Sequence, residues 1–228
     1  GRGRKKKKFS FVIVAGGSGS RMGGERKQFR LLGGRPMWRW SAEMAASMAE
    51  EGIGEIVLVL PRGEVTPPPW RQSARIPLRL AGGGASRAES VLSGLNAASF
   101  DYVMVHDAAR PFISISLMRR LMEETSESVG AVPVLPASDA IKRIDGERVE
   151  AVDRDGLYMT QTPQSFYRPT LMTALRERGP AAKDEAEAWL ASGLELHCVE
   201  GERLNFKVTW PDDLHIAERI AEGRRAPT

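Results

Sequence analysis

A glycine-rich segment near the start of the chain has the residue types of a phosphate-binding loop. It extends from Ala15 to Gln28 and includes Gly16, Gly17, Gly19, Gly23, Gly24, Arg21 and Lys27. Glycines allow the backbone to approach a ligand closely and to turn its N–H groups towards an anion. A flexible strand–helix turn would explain the glycines alone, but it explains the two cations poorly. The segment therefore predicts a phosphate site.

Two standard nucleotide-binding motifs do not fit this loop. A P-loop requires Gly-Lys followed by Ser or Thr, whereas Glu25 follows Gly24 here. The dinucleotide fingerprint requires a small residue where Met22 stands. The acidic residue about 20 positions further on, Glu43, falls within an amphipathic helical pattern and not at a strand end. The loop thus predicts phosphate binding of a different kind.

A second group of reactive residues follows a short apolar stretch, in the run from Val105 to Pro111. Asp107 in this run could face a divalent cation or a ribose hydroxyl, and Arg110 could pair with a phosphate or with Asp107. A structural ion pair between Asp107 and Arg110 explains the same residues equally well. The run alone leaves both interpretations open.

The elements that must position these residues alternate between strand-like and helix-like patterns. Apolar, β-branched stretches predict strands at 11–15, 55–61, 76–81, 102–105, 130–135 and 196–199, and helical spacing predicts helices near 36–48, 116–124, 170–177, 184–191 and 211–222. Another helix follows Ser86, a candidate cap with Glu89 as its partner, so that Arg87 and Ser90 open this helix. The alternation predicts an α/β fold with a mainly parallel sheet and helices on both faces. Ligands of such sheets sit beyond the carboxyl ends of the strands.

Two segments depart from this rhythm. Residues 137–160 are polar and contain Gly146 and Gly156, which predicts a protruding hairpin or arm on a single domain of residues 9–228. Residues 1–8 are a basic segment, interpreted as a disordered tail. The chain has 33 Lys and Arg against 29 Asp and Glu, but the tail holds six of the basic residues, so the body is slightly acidic. This balance argues against a nucleic-acid partner.

The cysteine content and the apolar runs bear on the expected location of the protein. The single cysteine, Cys198, cannot form an internal disulfide and is interpreted as inert packing within a strand, so a cytoplasmic location is expected. Long apolar runs are absent from the sequence, which argues against a membrane-spanning helix. His106, His197 and His215 lack metal-ligand spacing and are expected to have structural roles.

Taken in order, several blocks of the sequence resemble one family. They are the loop with Arg21 and Lys27, the run from His106 to Pro111, Thr162 to Gln164, Asp184 to Ala186, Val199 to Gly201, and Asn205 to Thr209. In this order and at these spacings, the blocks are similar to those of bacterial 2-C-methyl-D-erythritol 4-phosphate cytidylyltransferases. The resemblance covers about residues 10–222, nearly the whole chain apart from the basic tail.

The resemblance implies a Rossmann-like nucleotidyltransferase fold, a homodimer with exchanged arms, and cytidylyl transfer from CTP to methylerythritol phosphate with Mg²⁺, in isoprenoid biosynthesis. Arg21 and Lys27 would stabilise charge at the α-phosphate and the leaving pyrophosphate, and Arg154 and Lys207 would hold the sugar phosphate. Asp107 is the candidate metal ligand. The CTP pocket would be lined by Ala15, Gly16, Gly17, Gly19, Gly84, Ser90, Asp107, Ala108 and Arg110.

The residue types suit such a reaction independently. An acceptor phosphate is already a competent nucleophile, so the difficulty lies in bringing two polyanions together in line, which requires cations and positioning. Lys207 is expected on a short strand.

The alternative to a methylerythritol phosphate enzyme is a related cytidylyltransferase for another polyol phosphate, such as ribitol 5-phosphate. Ala140 bears on this choice, because the family usually has a threonine at this position of the arm.

Overall fold

The computed structural model describes residues 6–15, 30–63 and 76–224. Its strands are β1 (Phe9–Val14), β2 (Leu31–Leu32), β3 (Arg35–Pro36), β4 (Ile53–Leu60), β5 (Leu78–Gly82), β6 (Tyr102–Asp107), β7 (Val129–Pro136), β8 (Ile141–Asp145), β9 (Arg148–Val152), β10 (Tyr158–Thr160), β11 (Gln164–Tyr167) and β12 (Glu195–Glu200). Its α-helices are α1 (Met37–Ala46), α2 (Arg87–Ala97), α3 (Ile115–Glu124), α4 (Arg168–Arg178), α5 (Glu185–Ala191) and α6 (Pro211–Arg224).

Eight strands form one mixed sheet with the order β10-β7-β11-β6-β1-β4-β5, in which β12 also pairs with β7. The neighbours β6, β1, β4 and β5 are parallel, and so are β7 and β12. Strands β10 and β11 run antiparallel to their partners. The prediction of a mainly parallel sheet is confirmed.

Alternating side chains of the central strands bury both faces of this sheet. Phe11 and Ile13 of β1 pack in one core together with residues of α1 and α3. Val12 and Val14 point to the opposite core, which includes residues of α2, α4 and α5. This period-two pattern explains why helices cover both faces, as predicted. Helix α6 joins a third apolar cluster with α1.

The predicted arm is an antiparallel hairpin of β8 and β9, which form a small sheet of their own. Its side chains are mostly exposed, and Ile144 lies opposite Val149 across the hairpin. Strand β10 returns to the main sheet by pairing with β7. The arm is therefore shorter than the predicted range of 137–160.

The described end of the basic N-terminal segment contacts helix α3. Lys7 Nζ donates hydrogen bonds to the backbone oxygens of Met122, at 2.6 Å, and Thr125, at 2.5 Å. These carbonyls lie at the C-terminal end of α3, where the helix dipole attracts a cation. Residues 1–5 lie outside the described residues, so the disordered tail over residues 1–8 stays a prediction.

Two smaller expectations have clear outcomes. Cys198 lies in β12, but it is exposed and not packed as predicted, because the strand lies at the edge of the sheet. Within the described ranges, no helix has both the length and the apolar character needed to cross a membrane.

A buried carboxylate ties together elements at the amino-terminal side of the sheet. Glu55 accepts hydrogen bonds from Ser10 Oγ and Ser99 N, both at 2.6 Å, and forms an ion pair with Arg79 at 3.0 Å. Replacing Glu55 with alanine leaves buried donors unsatisfied, and we expect it to lower the free energy of unfolding by about 3 kcal/mol. Urea denaturation measures this change. Glu150→Ala, on the exposed arm, is the control and should shift the value by less than about 0.5 kcal/mol.

Candidate active site

Both sequence segments predicted to carry chemistry begin at the same edge of the sheet. Val14 at the end of β1 pairs in register with Asp107 at the end of β6. Ala108 N donates to Val14 O at 3.2 Å, and Ala15 N donates to Val59 O at 3.0 Å. The structure thereby brings the buried Ala15 and Ala108 together at the carboxyl ends of parallel strands, where ligands of such sheets bind.

Much of the predicted phosphate loop lies outside the described residues. This applies to residues 16–29, and therefore to Gly16, Gly17, Gly19, Arg21 and Lys27. Their proposed contacts stay predictions. The described structure fixes only where the segment starts, at Ala15 beside the end of β6.

Asp107 is the centre of a cluster of charges at this edge. Arg87 Nη2 lies 3.1 Å from Asp107 Oδ1, while Lys207 Nζ and Arg110 Nε lie 3.7 Å and 3.9 Å from Oδ2. Burial acts to raise the pKa of Asp107, but Arg87, Lys207 and Arg110 outweigh it and hold that pKa well below its usual range. The carboxylate is therefore ionised, with three cations around it.

Arg87, the cation nearest to Asp107, also joins two helix N-termini. Arg87 is the first residue of α2, and it contacts both Asp107 and the buried carboxylate of Glu185, the first residue of α5. Burial acts to lower the pKa of Arg87, but the two carboxylates outweigh it and raise that pKa above its usual range. Three cations against two carboxylates give this edge a positive excess, which suits a phosphate ligand.

The loop between β12 and α6 brings Lys207 to the cluster. Arg110 Nη1 donates to Asn205 O, and Val208 N donates to Ala109 O, both at 2.8 Å. Lys207 lies between these two attached residues. The prediction that it lies on a short strand is wrong, because this segment forms single hydrogen bonds to Ala109 and Arg110, directly after β6, and no strand ladder.

His106 occupies the opposite side of the same strand end. It is fully buried, and its ring nitrogens face Thr162 Oγ1 at 2.9 Å and Arg110 O at 2.8 Å. Burial lowers the pKa of His106 to about 4, so the imidazole is neutral at neutral pH. Asp107 N donates to the same Thr162 hydroxyl at 3.0 Å.

The turn after β5 places two further predicted residues in contact. Ser90 Oγ accepts a hydrogen bond from Gly84 N at 3.0 Å. The predicted cap is confirmed, since Ser86 Oγ accepts from Glu89 N at 3.2 Å. A side chain at position 84 would clash, because a Cβ atom there would lie 2.4 Å from Glu89 Cβ. Close packing against α2 therefore requires glycine.

Arg154 lies apart from these residues within the described chain. Its Nη1 donates to Ser138 O at 2.5 Å, at the base of the arm. It lines an open cleft of about 300 Å³ together with Pro136, Ala137, Ser138, Asp155, Gly156, Leu157 and Tyr158. Asp107, Arg110 and Lys207 thus meet at the sheet edge, whereas Arg154 lies at the base of the arm.

The sequence does not indicate that Arg87 and Glu185 belong to the charge cluster. It predicts only that Arg87 opens α2, which it does. Glu185 stands within a family block and has no predicted role of its own. An arginine directly after a helix cap, following a glycine-rich turn, is the signal that could have indicated an anion site.

A Rossmann-like sheet with cations gathered at its carboxyl edge defines a nucleotide-binding α/β protein. Residues 9–223 match the model of the family described as IspD: 2-C-methyl-D-erythritol 4-phosphate cytidylyltransferase. The chain belongs to this family.

Relatives with curated names agree with this assignment. The chain is 38% identical over 228 residues to the 2-C-methyl-D-erythritol 4-phosphate cytidylyltransferase of Nitrosomonas eutropha, covering 95% of this chain and 98% of the relative. It is 39% identical over 224 residues to the bifunctional enzyme IspD/IspF of Anaeromyxobacter dehalogenans, covering 92% of this chain. The match spans only 56% of that longer relative.

A solved structure supports the fold. The crystal structure of 2-C-methyl-D-erythritol 4-phosphate cytidylyltransferase from Thermus thermophilus matches with a TM-score of 0.78 and 36% sequence identity. The match covers 94% of this chain and 99% of that chain. The predicted Rossmann-like nucleotidyltransferase fold is confirmed.

Proposed function

We propose that this protein transfers the cytidylyl group of CTP to 2-C-methyl-D-erythritol 4-phosphate and releases pyrophosphate. The observation that carries the proposal is the cluster of Arg87, Arg110 and Lys207 around Asp107, at the sheet edge where the glycine-rich segment begins. Membership of the family gives the substrates their identity. The cytoplasm, where CTP is available, is the location that this activity implies.

The reaction needs no nucleophilic side chain. An oxygen of the acceptor phosphate attacks the α-phosphorus of CTP, the bond from that phosphorus to the bridging β-oxygen breaks, and pyrophosphate leaves with the bonding electrons. The acceptor is already an anion, so no proton has to be removed first. Catalysis then consists of aligning two polyanions and stabilising the charge on the equatorial and leaving oxygens.

The cations divide between the two substrates. Lys207 is half-exposed beside Asp107 and would contact the acceptor phosphate. Arg154 would contact the same phosphate, and Arg21 and Lys27 would contact the α-phosphate and the leaving pyrophosphate. Gly84, Ser90, Ala108 and Arg110 would line the CTP pocket together with the start of the glycine-rich segment.

Mg²⁺ is the proposed metal, with Asp107 as its protein ligand. Arg87 binds Oδ1 of Asp107 at 3.1 Å, whereas both neighbours of Oδ2 lie at 3.7 Å or beyond, so Oδ2 has lone pairs for a cation. The described residues contain no group of three or more His, Cys, Asp or Glu that could hold a metal ion. A single carboxylate fits a Mg²⁺ ion that arrives with the triphosphate. The ion would neutralise phosphate charge.

A homodimer with exchanged arms is part of the same proposal. Ile144 and Val149 lie opposite each other on the hairpin and are 69% and 60% exposed, and Leu157, Tyr158 and Met159 near its base are also exposed. Such an apolar surface on a protruding element is typical of an interface. Exchange of the arms would take Arg154 to the acceptor site of the partner subunit.

The arm offers a direct prediction. We expect the double substitution Ile144→Glu and Val149→Lys to convert a dimer to a monomer, because it places charges in the apolar contact. Turnover should fall about tenfold or more, since Arg154 would lose its place at the partner's site. Light scattering after size-exclusion chromatography measures the mass. Ile216→Glu, at an exposed apolar position on α6, is the control and should leave a dimer.

The activity is tested by pyrophosphate release from CTP and Mg²⁺ with each acceptor added separately. Release with methylerythritol phosphate, and not with ribitol 5-phosphate, is the expected result. Release with ribitol 5-phosphate alone would move the protein to a different polyol phosphate and would make Ala140 the first residue to examine. Absence of release with both acceptors would contradict the proposal.

A further inference from the structure

A fully buried histidine joins the three chain segments that meet at the candidate active site. His106 is the penultimate residue of β6, directly before Asp107; Thr162 precedes β11, and Asn205 lies in the loop that carries Lys207. We propose that His106 is a positioning residue which, through Thr162, Arg110 and Asn205, holds the Lys207 loop against Asp107. The inference rests on the proposed function for what Lys207 binds.

The hydrogen bonds of His106 determine where its proton lies. One ring nitrogen, Nε2, faces the backbone oxygen of Arg110 at 2.8 Å, and a carbonyl can only accept. Nε2 must therefore carry the hydrogen. Thr162 Oγ1 accepts from Asp107 N at 3.0 Å, which leaves its own hydrogen free to donate to Nδ1 at 2.9 Å. A single neutral tautomer, with the hydrogen on Nε2, satisfies every group.

These bonds close into a ring of four residues. Thr162 donates to His106, and His106 donates to the backbone oxygen of Arg110. Arg110 Nη1 donates to Asn205 O at 2.8 Å, and Asn205 Nδ2 donates to Thr162 O at 2.8 Å. Each residue is thus fixed by the one before it. Buried hydrogen bonds of this kind restrict the positions of the groups that they join. Two polar atoms of the ring residues, Arg110 Nε and Asn205 Oδ1, are buried without a hydrogen-bond partner among the described residues.

The ring sets the place of Lys207. Asn205, two residues before it, is attached to Arg110 and to Thr162, and Val208, directly after it, donates to Ala109 O. The backbone of Lys207 is held on both sides, so its Nζ reaches Oδ2 of Asp107 at 3.7 Å. Asp107 is held by the same Thr162 hydroxyl through its N–H.

His106 acts through these residues and not on the substrate. Its exposed fraction is 0% and both ring nitrogens have protein partners. Few other side chains can accept on one side and donate on the other from a rigid ring. Glutamine can reproduce the donor to Arg110 O but has a flexible stem, so we expect it to loosen the ring.

The tautomer is measured on the wild-type protein, without any change to the buried site. The chain has three histidines, and ¹⁵N spectra of histidine-labelled protein distinguish a protonated from an unprotonated ring nitrogen. His197→Gln and His215→Gln assign the signals, since both residues lie outside the ring. We expect His106 to carry hydrogen on Nε2 alone. Hydrogen on Nδ1, or exchange between tautomers, would overturn the proposal.

Steady-state kinetics test the coupling to Lys207. His106→Gln is expected to lower kcat/KM for methylerythritol phosphate about 100-fold, because a small misplacement of a positioning group has effects of this size. The KM for CTP should change less, by under about tenfold, because Arg110 is the ring residue that would also line the CTP pocket. In a Lys207→Ala background, His106→Gln should lower kcat/KM for methylerythritol phosphate by less than about threefold. A residue that acts through Lys207 has little further effect once the Lys207 side chain is absent.

The control and the second variant separate positioning from folding. His215→Gln, on the exposed side of α6, should change kcat/KM by less than about twofold. If His106→Gln does not fold, Asn205→Asp replaces it, because this isosteric change removes the donor to Thr162 O and should also raise the acceptor KM. Additive effects of His106→Gln and Lys207→Ala, or equal effects on both substrates, would contradict a positioning role.

Failure of the proposed function gives a different result. In that case wild-type protein releases no pyrophosphate with either acceptor, whatever His106 does. The tautomer measurement remains valid because it does not depend on turnover. An active wild type combined with a His106→Gln variant of unchanged kinetics would refute the inference alone.

Discussion

Asp107→Asn is expected to lower kcat/KM by about 10²–10³-fold in a protein that still folds. Asparagine has nearly the same size and can still accept from Arg87, but it removes the charge that holds Arg87, Arg110 and Lys207 together. With that charge gone, the three cations repel each other and the substrate phosphates lose a preorganised site. Losses of this size follow when one preorganised electrostatic group is removed.

The measurement is pyrophosphate release at saturating CTP and at several Mg²⁺ concentrations, together with thermal unfolding. Asp212→Asn, an exposed aspartate in the first turn of α6, is the matched control and should retain full activity. A higher Mg²⁺ requirement in Asp107→Asn would indicate that the carboxylate meets the metal. An unchanged Mg²⁺ requirement with reduced turnover would assign its effect to the cations alone. Unchanged activity of Asp107→Asn would contradict the expectation that this carboxylate holds the three cations in place.

The strands and the helix start that position this site could be predicted from the sequence, because local patterns determine them. The apolar, β-branched run of β1 and the similar run of β6 predict buried strands wherever they occur, and the cap at Ser86 predicts the start of α2. Period-two burial then places His106 and Asp107 on opposite faces of the sheet. The polar character of the arm likewise predicts a protruding hairpin.

The ion-pair partners of Asp107 could not be predicted from the sequence in the same way. The sequence offers Arg110, three residues away, as the natural partner, but Arg110 Nε lies 3.9 Å from the carboxylate and its shorter contact is to Asn205 O. The closer partner is Arg87. This pairing depends on the order of strands in the sheet and on α2 and α5 sharing one face, which no local pattern encodes.

The position of Lys207 shows a second limit. Its apolar neighbours Phe206 and Val208 predict a strand, because alternation is the usual sign of one. In the structure Phe206 and Val208 pack with the third apolar cluster, so their burial comes from α1 and α6 and not from a sheet. Tertiary packing thus produces the same alternation without strand pairing, and the loop conformation is what brings Lys207 to Asp107.

Lys27→Ala and Arg21→Ala are expected to reduce kcat by about 10²–10³-fold each, with much smaller changes in the affinity for CTP. The segment that contains them begins at Ala15, beside Ala108 and the end of β6, which is the edge of the sheet where Asp107 lies. Arg21 and Lys27 themselves lie outside the described residues. Negative charge on the leaving pyrophosphate increases as the bond to the α-phosphorus breaks. A cation that meets this charge stabilises the transition state more than the bound substrate.

The two quantities are measured separately, kcat by pyrophosphate release and the Kd of CTP by calorimetry without acceptor. Arg26→Ala is the matched control, since it removes the same charge from the neighbouring position in the same segment. It should change kcat by less than about threefold. Retention of near-wild-type kcat in Lys27→Ala or Arg21→Ala would show that the catalytic assignment is wrong. A loss confined to CTP affinity would assign the residue to uniform substrate binding, because an interaction equal in the ground and transition states lowers KM without raising kcat.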